Sequence, residues 1–136
     1  MGRYYCTNNF EGKFWFAVQP SFDPWGVFGM KEHPCFDDDG EEIEGYTDFY
    51  LEKNDFTYNF VKSKLDFLFD KVGVVKEDRK FIFDSNEQFS EYYDKYLQKY
   101  AEKEKADALS LSRICLGLRI YNDLRLDGYC SMTADL

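Results

Sequence analysis

The chain has 136 residues, close to the usual size of one domain, and carries 17 Lys and Arg against 26 Asp and Glu, a formal charge of −9. A negative surface repels phosphate backbones and anionic lipid, which argues against direct nucleic-acid binding or membrane attachment; no run approaches the roughly 20 apolar residues of a spanning helix. With 14 Phe, 11 Tyr and 2 Trp, the chain has enough large rings to build a core and is no disordered polyelectrolyte.

Met1-Gly2-Arg3-Tyr4-Tyr5 lacks the apolar segment of a secretory signal, so a cytoplasmic or nuclear location is expected, with Cys6, Cys35, Cys115 and Cys130 reduced. Residues 4–19 read as a β-hairpin: a strand over Tyr4 to Thr7, a turn at Asn8-Asn9 and a second strand from Gly12 to Gln19. The second strand is apolar at almost every position, which predicts cover on both faces. Glu11 and Lys13 project from one side of it and Trp15 continues their row, a polar and aromatic set able to recognise a peptide or a flat ligand. A core strand with a salt-bridged edge is the plainer reading of the same residues.

Tyr5, with Glu11-Gly12-Lys13-Phe14-Trp15-Phe16-Ala17-Val18-Gln19, resembles the opening of small uncharacterised proteins encoded by large DNA viruses. The resemblance covers only the opening of the chain and implies an origin, with no activity and no functional residues attached.

Pro20, Asp23, Pro24, Trp25 and Gly26 read as a loop, with Val27 to Met30 a further short strand. From His33 to Glu44 the chain is polar and is expected to be an exposed loop. Its acidic run, Asp37-Asp38-Asp39-Gly40-Glu41-Glu42, fails the calcium-loop pattern at both ends: Cys35 stands at the first ligand position and Tyr46 at the last. A strand follows over Tyr46 to Leu51.

Asn54 or Asp55 caps the first helix, whose apolar residues Phe56, Phe60, Val61, Leu65, Leu68 and Val72 recur at helical spacing up to Gly73. Lys76, Arg79 and Lys80, interrupted by Glu77 and Asp78, read as a solvated turn, and Lys80 to Asp84 as a short strand or extended link. Ser85 and Gln88 form a capping box for a second helix with apolar face Phe89, Tyr93, Tyr96, Leu97 and Tyr100. A bend is expected between Glu102 and Asp107, because an unbroken helix over residues 86–127 would be roughly 60 Å long. The last helix, apolar on most sides from Leu109 to Leu126 and ending at Gly128, should be the most buried.

The expected fold is α+β: one domain over residues 1–136, with a small antiparallel sheet from the N-terminal half packed against two or three C-terminal helices. His33 is the one histidine, and His33-Pro34-Cys35 lacks the paired spacing of a zinc site, so neither a metal nor a cofactor is expected. No Ser elbow, phosphate loop or dinucleotide fingerprint is present, and no catalytic residue can be named. The leading reading is a non-catalytic protein-binding domain with Glu11, Lys13, Trp15, Trp25 and His33 as candidate contacts. A protein partner is favoured over a small molecule, and homodimerisation is open. The alternatives are a small enzyme or ligand-binding protein with its site near Glu11 and His33, and an acidic nucleic-acid mimic built on residues 37–44.

Overall fold

A computed structural model of the chain describes residues 4–13, 19–20, 22–36, 38–101 and 105–135. Five strands form one antiparallel sheet: β1 (Tyr4–Cys6), β2 (Glu11–Lys13), β3 (Lys31–Phe36), β4 (Glu42–Glu52) and β5 (Tyr129–Asp135). Their spatial order is β2-β1-β5-β4-β3, so two hairpins from the N-terminal half flank a central strand that comes last in the chain. The α+β architecture is as expected, with the sheet packed on α2 (Asp55–Val72) and α5 (Lys105–Asp127).

One face of the sheet is buried and the other open. Alternation along β5 shows the rule: Cys130, Met132 and Ala134 are buried, while Tyr129, Ser131 and Thr133 face water. Tyr5, Phe49 and Leu51 join the buried face from β1 and β4. The sequence after Gly128 carries no strand signal strong enough to stand on its own. The segment is short and polar at every other position, and only pairing on both sides makes it the centre of a sheet.

Helix α2 begins as its sequence requires. Asn54 accepts from the Thr57 amide at 2.9 Å, while the Thr57 hydroxyl accepts from the Asn54 amide at 2.9 Å, so two end donors are satisfied reciprocally. It stops at Gly73, whose φ of +80° is open to glycine at no steric cost. Val61, Leu65, Leu68, Phe69 and Val72 make its buried face. Phe56 departs from that face: it is 76% exposed, because it sits a half-turn away from the stripe at 61, 65, 68 and 72.

Helix α5 is the centre of the molecule. Every residue from Ser110 to Leu124 except Arg113 is buried, as its all-round apolar pattern predicts. Gly117 is where α5 lets its neighbours in; a Cβ there would stand 2.5 Å from the Phe28 ring and 2.8 Å from Leu65. The expected bend ahead of α5 falls partly on residues 102–104, outside the described residues; α4 (Gln98–Ala101) ends before them and α5 starts after them.

The second expected helix differs from its reading in one instructive way. Ser85 caps α3 (Asn86–Tyr92), but Gln88 reaches back to the amide of Asp84 at 2.8 Å instead of that of Ser85. A wide π-turn, Tyr93–Leu97, then separates α3 from α4. In a regular helix Phe89, Tyr92, Tyr93, Tyr96, Leu97 and Tyr100 would share one face. The extra residue in the turn keeps Tyr92, Tyr93, Leu97 and Tyr100 inside and swings Tyr96 out to 43% exposure. Tyr96 therefore leaves the apolar face that spacing assigns it.

Three loop and strand expectations change. Residues 20–26 hold a short helix, α1 (Asp23–Gly26), with Pro24 in its first turn where no amide partner is needed. The strand expected over Val27 to Met30 lies instead at Lys31–Phe36, after a turn through Gly29 at φ +72°. The polar stretch from His33 to Glu44 is no loop: most of it lies in β3 and β4, with a tight turn at 38–40. Cross-strand pairing outweighs polar composition there, since β3 is an edge strand and its outward residues stay wet. Lys80 to Asp84 is an extended link; the buried Asn122 amide donates to Phe81 O at 2.8 Å and accepts from the Phe83 amide at 2.9 Å, in place of a partner strand. No helix among the described residues is long and apolar enough to cross a membrane.

Candidate functional site

Register places two of the sequence-derived candidates on the open face of the sheet. Glu11 stands opposite Cys6, Cys6 opposite Thr133, Thr133 opposite Asp48, and Asp48 opposite His33. These five positions make one row across all five strands, on the face where Cys6, Thr133 and His33 are exposed. Lys13 lies on β2, paired with Tyr4 of β1. Glu11 and His33 thus belong to one surface but sit on opposite edge strands, four inter-strand steps or roughly 19 Å apart. They do not converge on a pocket. His33 faces Asp48, whose carboxylate is held by the Thr133 hydroxyl at 2.7 Å. Trp15, with the rest of 14–18, lies outside the described residues, and so does most of the string that carries the viral resemblance.

Among the described residues no group of three His, Cys, Asp or Glu side chains is gathered closely enough to hold a metal ion. Burial pushes the Cys115 thiol up to about 12 and raises that of Cys130 as well, the Asp123 carboxylate adding to the effect on Cys130. Both thiols are therefore protonated at neutral pH and unsuited to nucleophilic work. Arg119 is a buried cation with no carboxylate at ion-pair distance among the described residues. It donates to the Tyr5 hydroxyl at 2.8 Å and to Cys115 O at 3.1 Å, and its guanidinium lies 4.1 Å from the centre of the Phe89 ring. Gly12 closes this nest, since a Cβ there would stand 2.7 Å from the Tyr5 hydroxyl and 3.0 Å from Arg119 Cζ. The nest is tightly packed, and its role is to tie β1 and β2 to α5.

Trp25 is a candidate that the structure displays openly. It is 57% exposed on α1, beside Phe22 at 54%, with the two rings edge to face at 6.4 Å. Beneath them α1 is fastened by Asp23, which is fully buried and held by Arg113 of α5 through two hydrogen bonds of 3.0 and 3.1 Å. A bidentate pair of this kind fixes direction as well as distance. Pro24, also buried, stiffens the same turn. The two rings are thus carried on a rigid base. The proline and acidic cues for a helix start were present in the sequence; the pairing with Arg113, 90 residues away, was not.

Further rings line the outer side of α2. Phe56, Phe60 and Phe67 recur at helical spacing on the face turned away from α5, with Phe56 76% and Phe67 60% exposed. Phe56 and Phe60 stack at 6.0 Å, and together with Asp55, Asn59 and Ser63 they border a shallow groove of about 450 Å³. Gly29 lies between the backbone of α1 and the Phe60 ring of α2. Its amide donates to Trp25 O at 3.1 Å, and a Cβ on it would lie 3.6 Å from the Phe60 ring. Compared with family models, curated proteins and solved structures, the chain matches none of them.

Proposed function

We propose that the chain is a protein-binding module whose docking face is formed by Phe22 and Trp25 of α1 and Phe56 and Phe60 of α2. The observation that carries this reading is the anchoring of α1: the fully buried carboxylate of Asp23, paired with the half-buried Arg113, holds up two rings that are each more than half exposed. Burying charge is costly unless geometry is excellent, so a buried carboxylate with a bidentate partner under an aromatic display argues for a surface whose shape matters. Rigid exposed rings lose little entropy on docking, and Trp and Tyr anchors dominate interface energetics. The net charge of −9 favours a partner whose rim is basic.

The nucleic-acid mimic gains nothing from the fold. Asp38, Asp39, Glu41 and Glu42 cluster at one hairpin turn, and a turn offers no array at phosphate-like intervals.

The test is retention from native lysate on the immobilised chain, comparing the wild type with the double variant Phe22→Ala/Trp25→Ala. A partner held by the wild type and released by the variant, with thermal stability unchanged, supports the reading. Equal retention by both proteins overturns it. Sedimentation of both proteins at two concentrations identifies the case in which the occupant is a second copy of this chain.

A further inference from the structure

A cleft of about 410 Å³ opens between the link after α2 and the helix that carries the π-turn. Its volume falls in the range of small-molecule sites, roughly 300–1,000 Å³. Tyr92 and Tyr96 give it an aromatic wall, their rings 5.6 Å apart and tilted by 31°. Tyr92 is fixed: its hydroxyl donates to Asp78 O and accepts from the Lys80 amide at 3.1 Å. Tyr96 faces the cleft only because of the π-turn, which takes it off the core face of its helix. Wide turns of this sort interrupt good helical hydrogen bonding and recur at functional sites.

The polar groups around this wall are mostly donors. Gln88 spends its carbonyl on the Asp84 amide at 2.8 Å, which leaves its NH₂ group as the end available to the cleft. Arg79 is committed to Asp70 at 2.9 Å and to Val74 O at 2.9 Å. Lys95 and Glu91 neutralise each other at 2.7 Å. Lys80 has no carboxylate at ion-pair distance among the described residues, and its ammonium lies 5.0 Å from the Phe83 ring centre, at the cleft. Its field reaches Glu91, whose carboxyl is held below the usual range chiefly by Lys95 and further by Lys80. Glu77 at the rim is the opposing charge. A lone ammonium and an amide NH₂ beside an exposed ring fit one negative charge on a flat body, while Glu77 and the acidic whole of the molecule repel a polyanion.

We infer that this cleft binds a planar aromatic monocarboxylate, its ring against Tyr96 and its carboxylate on Lys80 and Gln88. This site is separate from the docking face and stands or falls independently of it.

The probe is 2-naphthoate, followed by backbone amide shifts in NMR titration. 2-Naphthylmethanol supplies the ring without the charge, and acetate the charge without the ring. 2-Naphthoate should saturate shifts at Lys80, Gln88 and Tyr96 and bind at least about tenfold tighter than either half, a factor that corresponds to about 1.4 kcal/mol. Lys80→Met should weaken it about tenfold, in line with the loss of one charged hydrogen bond, and Tyr96→Ala about fivefold. Lys31→Met, on β3, should leave it unchanged. Both cleft positions are exposed, so their variants should fold as the wild type does. Binding of the alcohol as tight as that of the acid, equal affinity in Lys80→Met and Tyr96→Ala, or shifts confined to other residues would each overturn the assignment.

Discussion

Rings inside and rings outside this molecule are the same residue types with opposite consequences. Phe28, Phe69, Phe83 and Phe89 are sealed around α5, whereas Phe22, Trp25, Phe56 and Phe67 stand in water. An interior ring is hemmed in by neighbours on every side, and truncating it leaves a hole. An exterior ring touches little, so its removal alters what the surface can hold without altering the fold. The difference separates the rings that the fold needs from those that it does not.

The comparison breaks most sharply at Phe28. Phe28→Ala should cost about 4 kcal/mol by chemical denaturation, since the ring is fully buried between Gly117 and its surroundings. Arg113→Met should cost about 3 kcal/mol, because Asp23 is left as a buried charge without its partner. It joins the two regions: the rings of α1 would also lose their base, so partner retention should fall together with stability. Gly117→Ala tests interior packing from the other direction, with an expected loss of about 2 kcal/mol as the added methyl meets Phe28 and Leu65.

Asp123 extends the contrast to polar groups. Burial raises its carboxyl above the ordinary 3.8, although Asn9 donates to it at 2.8 Å. The folded protein therefore holds that proton more tightly than the unfolded chain does, and its contribution to stability grows as pH falls through the folded value and is lost as pH rises. Measured as melting temperature, the wild type should gain on Asp123→Asn between pH 7 and pH 4; a constant gap would contradict the shift. At the small end, Phe56→Ala and Phe67→Ala should each change stability by less than about 0.5 kcal/mol.

Much of the scaffold was legible because it rests on local rules. Asn54, Gly73 and Ser85 mark helix ends by their own chemistry, and the all-round apolar α5 announced its burial. The failures share a cause. His33 to Glu44 looked like a loop because nothing local reveals that β4 pairs with it, and residues 129–135 became a strand through partners more than 75 positions earlier in the chain. Tyr96 misled because spacing assumes a uniform helix, which the π-turn breaks. At the candidate site, Trp25 was legible as a conspicuous residue. Its exposure and the Asp23–Arg113 pair beneath it are long-range facts, and helical spacing alone assigns Phe56 to the core.

The position of β5 carries a consequence for how the molecule assembles. Among the described residues, the strands of hairpins β1–β2 and β3–β4 are not paired with each other and are joined in the sheet through residues 129–135. A growing polypeptide must therefore hold both hairpins unjoined until residues 129–135 have been synthesised, and pairing across such separations is slow. Until then the strand edges awaiting β5 stay open to a stranger, which makes late completion, more than any weakness of the finished fold, the moment of greatest exposure to misassembly.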